Sequence, residues 1–336
     1  MACFRFRELT LLAIGFCSLA GSAMAGDSLI ELHHDSATVE AASHASLVFR
    51  HARPTSHPGQ TRGPADFRST AAAGSASAGV TSKPRYPGDL TYQGGTVVTS
   101  MASHAIFVNC APSCWGDPLG FLSDLGKSQF IHVVDQYVGQ TARNRYSVGA
   151  INFLASLGLT KLTDADITAL VYEAVTISGE SGYGHEYHVF LPPGTDECFD
   201  STYTTCYSPD NLATFYFCAY HGSFDAPGVG HVLYSVEPYQ DVPGCEDTGA
   251  TPNGALVDST NNVLSHETFE TITDPDGTAW INTTDNGMYG EEIGDECAFV
   301  NATGFDPSVF TVGSKVYAAQ PEYSNAGHTC ASAPID

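Results

Sequence analysis

The sequence predicts a disulfide-bonded α+β domain, and three observations carry that prediction. Stretches with helical spacing and stretches rich in β-branched or aromatic residues come in blocks rather than in strict alternation. Eight cysteines follow an export-type leader. One late helical stretch brings an imidazole and two carboxylates onto neighbouring positions.

The leader comes first. Arg5 and Arg7 precede an apolar run from Leu9 to Ala20, and Ala23-Met24-Ala25 follows. A basic start, a short apolar stretch and an A-x-A site predict a signal peptide over residues 1–25. The run is too short for a membrane span. Phe16 before Cys17 argues against a lipoprotein site. The expected location is therefore secreted, extracellular or periplasmic. Residues 26–87 are expected to be a flexible tail or pro-segment. Ser69 to Lys83 is rich in Ala, Ser and Gly and lacks a sustained apolar period, so burial cannot offset its ordering entropy. A structured domain is expected over residues 88–336.

Within that domain Ala105 to Val108 reads as a strand. Asp117-Pro118 opens a helical stretch carrying Phe121, Leu122 and Leu125, and a second stretch covers Gln129 to Tyr137. Thr163 with Asp166 has the form of a helix start, followed by Ile167, Leu170, Val171 and Val175. Tyr187 to Leu191, Thr214 to Tyr220 and His231 to Val236 read as strands. A helix is predicted from about Asp258 to Thr273, stopped by Pro275, and a strand from Thr311 to Gln320.

The cysteines of the expected mature chain are Cys110, Cys114, Cys198, Cys206, Cys218, Cys245, Cys297 and Cys330. An even number in an exported chain predicts disulfides, and the close pairs Cys110–Cys114 and Cys198–Cys206 are the natural first assignments. No C-x2-C pair is present. Charge is uneven: residues 1–85 hold eight of the 13 Lys and Arg, and the rest is strongly acidic. Such a body repels nucleic acid and anionic membranes.

The chemistry concentrates in His266-Glu267-Thr268-Phe269-Glu270. On a helix His266 and Glu270 lie one above the other, with Glu267 at the edge of the same face. Val257, Leu264 and Ile272 fall on the far side, so one face can pack while the other looks into a cleft. A divalent metal, Zn2+ by donor type, could take the His266 nitrogen and a Glu270 oxygen. Glu267 would reach the attacking water as general base. This is the logic of the H-E-x-x-H zinc helix with Glu for the second His. A third ligand must come from elsewhere. Glu292, in Glu291-Glu292-Ile293-Gly294-Asp295, is the best candidate, with Asp295 holding the His266 ring from behind. Asp274 and Asp276 are the alternatives. Two carboxylates cancel the dication's charge, so a structural clip or a Ca2+ site are further uses of the same donors.

Other residues carry less. His185 and His188 are three apart on an expected strand and face opposite sides. His221 follows Cys218 and fits a turn at a cleft or simple packing. Asn282-Thr283-Thr284 and Asn301-Ala302-Thr303 are glycosylation sequons. No G-x-S-x-G elbow is present.

Leu264-Ser265-His266-Glu267, Glu270, Thr273-Asp274-Pro275 and Trp280, then Glu292 through Cys297, resemble bacterial relatives of the plant phosphate-induced/EXORDIUM family. Tyr92-Gln93-Gly94-Gly95, Cys218-Ala219-Tyr220-His221-Gly222, Pro243-Gly244-Cys245, Pro252-Asn253-Gly254 and Tyr323-Ser324-Asn325-Ala326 with Cys330 extend the resemblance from about residue 90 to the end. It implies an exported protein with a zincin-like core: a mixed sheet with an active-site helix. The leading expectation is a secreted zincin-like hydrolase acting on an extracellular protein or peptide. The alternative is a non-enzymatic EXORDIUM-like protein of the cell surface or wall. An open cleft around His266, Glu267, Glu270 and Glu292 is expected of the enzyme, and a site closed by packed side chains of the alternative. A carbohydrate-binding module would need an exposed aromatic platform, and the two tryptophans do not supply one.

Overall fold

The computed structural model describes residues 28–33, 48–54, 88–247, 249–283, 290–298 and 308–335. The expected signal peptide and the sequon at Asn301 lie outside the described residues. In chain order the strands begin with β1 (Ser28–His33), β2 (Val48–Pro54), β3 (Leu90–Tyr92), β4 (Met101–Val108), β5 (Tyr146–Val148) and β6 (Ile151–Ser156). Next come β7 (Lys161–Thr163), β8 (His185–Phe190), β9 (Asp196–Cys198), β10 (Cys206–Tyr207), β11 (Tyr220–Ala226) and β12 (Gly230–Glu237). The last are β13 (Trp280–Asn282), β14 (Ser308–Val312), β15 (Lys315–Ala319), β16 (Glu322–Ser324) and β17 (Thr329–Ala331). The helices are α1 (Pro118–Leu125), α2 (Asp135–Val138), α3 (Asp164–Ser178), α4 (Ala255–Thr273) and α5 (Asp295–Ala298).

The main sheet has the order β1-β6-β4-β8-β12-β11-β2, with β5 also paired to β4. The pairs β1–β6, β6–β4, β4–β8 and β8–β12 are parallel, and β12–β11 and β11–β2 are antiparallel. The domain is therefore mixed α/β with a largely parallel centre, where the blocks of elements predicted α+β. The crossovers explain the difference. α1 and α2 connect β4 to β6, and α3 leads from β6 to β8, but β6 gave no recognisable strand signal in the sequence.

Alternation along the strands separates two cores. Ala105, Phe107, Phe190 and Leu233 face α1 and α4, with Leu264, Phe269 and Ile272. Ile106, Val189, Tyr220, Phe224 and Val236 face α3, with Ile167, Leu170 and Val171. The sheet is thus covered on both faces, as its parallel strands require.

Local chemistry fixes the helix ends. The Thr163 backbone donates to the Asp166 carboxylate at 2.7 Å, which closes the capping box of α3. Gly179, at φ 71°, ends it. α4 follows Gly254, and Asp258 accepts from the Asn253 backbone at 2.6 Å. Asp274 ends α4 and accepts from the backbones of Thr278 and Ala279 at 2.5 and 2.6 Å.

Within residues 26–87, Ser28–His33 and Val48–Pro54 are strands at opposite edges of the sheet. An open sheet edge supplies backbone partners that a short segment cannot make alone. Other expectations need correction. The strand expected at Thr214 to Tyr220 begins only at Tyr220. The strand expected at Thr311 to Gln320 is a hairpin, β14 with β15. α4 is not amphipathic in use: it is buried on every side from Asp258 to Thr273. Its polar residues turn inward and find partners, as when Thr271 donates to Glu186 at 2.7 Å and Asn262 to Asp247 at 3.0 Å. Asn282, of the first sequon, is buried and donates to Glu296 at 2.5 Å.

Four disulfides form: Cys110–Cys114, Cys198–Cys206, Cys218–Cys245 and Cys297–Cys330. The two close pairs are the ones the spacing favoured. Among the described residues, no helix is long and apolar enough to cross a membrane.

Candidate metal centre

Three strands present polar side chains to α4. Alternation places Glu186 and His188 of β8, Ser235 and Glu237 of β12, and His221 of β11 on the α4 face. His188, Ser235 and His221 form a row across the strands, by the register Ser235↔His188 and His221↔Ser235. His188 Nδ1 lies 2.8 Å from Ser235 Oγ, and Ser235 donates to Glu237 at 2.9 Å.

α4 answers with His266, Glu267 and Glu270. His266 Nε2 lies 3.0 Å from Glu270 Oε1 and 3.7 Å from Asp295 Oδ1. The ring is seated on Gly294, where an added Cβ would come within 2.5 Å of His266 Nδ1. The 290–298 segment is tied in place. Gln320 donates to the Gly294 carbonyl at 2.8 Å, and the Tyr323 backbone donates to the Ile293 carbonyl at 3.1 Å. The Cys297–Cys330 disulfide fastens the same segment to β17.

His221 completes the arrangement. Its Nδ1 lies 3.4 Å from Glu267 Oε2 and 3.6 Å from Glu270 Oε2, and its Nε2 lies 3.8 Å from Glu292 Oε1. The same Nε2 lies 3.3 Å from the Asp274 carbonyl, which can only accept. Nε2 therefore carries the proton in the neutral ring, and the Nδ1 lone pair points to the two glutamates.

Among the described residues, two groups of donors at this centre have ligand spacing: His266, Glu267 and Glu270, and His221, Glu270 and Glu292. Glu270 belongs to both. Glu292 thus joins the centre through Glu270 and His221, not beside His266. Asp295 shares Nε2 of His266 with Glu270 instead of reaching the far nitrogen. Asp274 Oδ1 is used by backbone amides while its Oδ2 is buried without a hydrogen-bond partner, and Asp276 is used by Ser223, Tyr183 and His231. Glu267 stands at ligand distance, as well placed to bind an ion as to serve one.

The electrostatics are those of a site awaiting cations. Burial alone would discharge His266, but Glu270, Glu267 and Asp295 outweigh it and hold its pKa well above the imidazole range. Burial is likewise outweighed at His221, chiefly by Glu292. Burial pushes Glu292 and Glu322 well above the carboxylate range and Glu267 to about 7. Burial opposes charge on Glu270 too, but His266 and His221 bring its pKa to about 2. Both nitrogens of His266, both oxygens of Glu267 and of Glu322, Nδ1 of His221, Oε1 of Glu292 and Oδ1 of Asp295 are buried without a hydrogen-bond partner. Native interiors seldom leave such groups unpaired, and ions or water are the usual reason. The donor set of imidazole and carboxylate suits Zn2+ or another borderline dication.

His221 was the residue the sequence reading undervalued. Its signal was alternation along β11, hidden because the strand was placed too early and ended where His221 begins. The site is also closed, with His266 only 2% exposed and Glu267 fully buried.

Comparison with family models, characterised proteins and solved structures finds no match to the chain.

Proposed function

We propose that this chain is an exported, metal-dependent hydrolase with a zincin-like centre on α4, acting on an extracellular protein or peptide. One observation carries the reading. His266 Nε2 and Glu270 Oε1 approach to 3.0 Å, fully buried, with Nε2 in no aligned hydrogen bond, an approach that two ligands make when both face one cation. His266 and Glu270 would hold the ion, and the His221–Glu292 pair would supply a third donor from the other side of Glu270. A bound dication would lower the pKa of water and polarise a carbonyl. Glu267 would accept a proton from that water as general base. His221 Nδ1 lies 3.4 Å from Glu267 on the other side of the carboxylate. The four disulfides agree with export. A long helix packed on a mixed sheet agrees with a zincin-like core. Some of the residues that resemble the phosphate-induced/EXORDIUM family, His221, His266, Glu267, Glu270 and Glu292, lie at this site; others pack elsewhere, Trp280 tilted against Tyr92 and Cys297 bonded to Cys330.

Closure of the site favours a second reading, in which the same donors hold a structural ion in a non-enzymatic EXORDIUM-like protein. Glu267→Gln separates the two. An amide keeps the shape but cannot accept the water's proton. The hydrolase reading expects undiminished metal content and loss of cleavage of a quenched-fluorescence peptide library. A wild-type protein that holds metal and cleaves nothing, with or without residues 26–87, supports the second.

A further inference from the structure

The opposite face of the sheet carries a separate cluster. His104 lies in the middle of β4, His185 opens β8, and Glu180 sits just past the end of α3. We propose that His104, His185 and Glu180 form a second cation site, of the zinc class, independent of the centre on α4.

The His104 ring is held in one orientation. It is fully buried, it stacks on Tyr187 at 4.8 Å between centroids, and a Cβ at Gly149 would come within 2.1 Å of it. Its Nδ1 lies 2.9 Å from the Ile151 carbonyl. A carbonyl only accepts, so Nδ1 carries the proton and Nε2 keeps its lone pair. This is how a ligating imidazole is set by its other nitrogen. Nε2 faces His185 Nδ1 at 3.1 Å and Glu180 Oε2 at 3.3 Å.

Protons do not satisfy these three atoms. If His185 donates to His104, the lone pair of Nε2 is used, and Glu180 Oε2 is left facing it. That oxygen is buried and has no hydrogen-bond partner. A cation satisfies all three at once. Two nitrogens bound to one tetrahedral Zn2+ at about 2.0–2.1 Å stand roughly 3.3 Å apart, close to the spacing found here. The three donor atoms have ligand spacing in the chain as it stands. The Glu180 side chain is 36% exposed, so the rim of the site borders solvent. Two imidazoles, one carboxylate and one water make a zinc-type set. Bound there, the ion would pin the connection between α3 and β8 to the central strand β4.

The test is Zn2+ titration of the chelator-stripped full chain against a competing chromophoric chelator. It compares wild type with Glu180→Gln, His185→Gln, Gly149→Ala and His266→Ala. Glu180→Gln and His185→Gln alter the partly exposed rim, and circular dichroism checks their fold. Each is expected to lose one Zn2+ equivalent or to bind it at least about tenfold more weakly. Gly149→Ala, which displaces the His104 ring, should weaken the same equivalent roughly 10–100-fold. His266→Ala should keep it. In the His266→Ala background, Co2+ should give tetrahedral visible absorption that Glu180→Gln abolishes. Failure of the α4 centre appears as unchanged stoichiometry in His266→Ala alone. Wild-type Zn2+ binding by both Glu180→Gln and His185→Gln would overturn the second site.

Discussion

Nδ1 of His221 stands 3.4 Å from Oε2 of Glu267, and neither atom has a hydrogen-bond partner. One residue comes from an antiparallel strand and the other from the central helix, so the fold itself brings them together. Leaving such groups unpaired in a dry interior costs on the order of 1–3 kcal/mol each. A cation between the helix and β11 removes that cost at several atoms together, and the predictions below follow from it.

The metal-free protein should lose stability as pH rises. Burial lifts Asp295 to about 6, Glu267 to about 7 and Glu186 to about 8. Above about pH 4.5 the folded state therefore binds more protons than the unfolded chain, and stability falls with pH. His266 and His221 add the same sign, because their folded pKa values are also raised: their contribution is full below the imidazole range and is lost above it. Glu270 acts oppositely, but only as pH falls toward about 2. Between about pH 5.5 and 8 the Tm of chelator-stripped protein should drop by at least about 4 °C, on the order of 2 kcal/mol for a domain this size. Zn2+ should remove the drop, since its ligands bind deprotonated. A flat or rising Tm without metal would contradict this.

Gly294→Ala should weaken metal binding while sparing the fold. The new Cβ would sit 2.5 Å from His266 Nδ1 and push the ring off its seat. The expected loss is roughly 10–100-fold in affinity, as for other changes to the support of a ligand. Isothermal titration with Zn2+ reads it directly, and unchanged affinity would show that the ring position is not critical.

Oxidation should matter to the centre. The Cys297–Cys330 bond closes a 33-residue separation and anchors Glu292 and Asp295. Loop-closure entropy assigns it about 3–4 kcal/mol. Cys297→Ser with Cys330→Ser should lower both Tm and metal affinity. Thiol alkylation of the natively exported chain should find the eight domain cysteines blocked.

Part of this was legible from residues alone. α4 announced itself by His266, Glu267 and Glu270 at helical spacing and by the stop at Asp274-Pro275. Thr163 with Asp166 gave the start of α3, and the short separations gave two disulfides. The long-range features were not legible. The strand pairings of β1 and β2 depend on edges made by distant segments. The Cys218–Cys245 and Cys297–Cys330 bonds depend on how three ribbons fold back. His221 reaches the centre because β11 lies beside α4, and no local pattern states that. The closed face of α4 is not legible because Ser, Thr and Asn are mostly exposed residue types, and their burial here depends on partners from distant strands.

The tail strand offers a further check. β2 pairs with β11 along the register His221↔Arg53 and Gly222↔Ala52. Removing residues 26–87 uncovers that edge beside His221. Chelator should strip metal several-fold faster from the shortened chain, and peptide cleavage should rise if the hydrolase reading holds. Equal stripping rates would show that β2 does not shield the centre.

The central claim is that a dication sits between α4 and β11. Zinc-edge anomalous diffraction from crystals of the Zn2+-loaded protein tests it most directly. The account predicts a peak about 2.0–2.2 Å from both His266 Nε2 and a Glu270 oxygen. Zn2+ bound only elsewhere, with Glu270 and His266 sharing a proton or bridged by water, would contradict it.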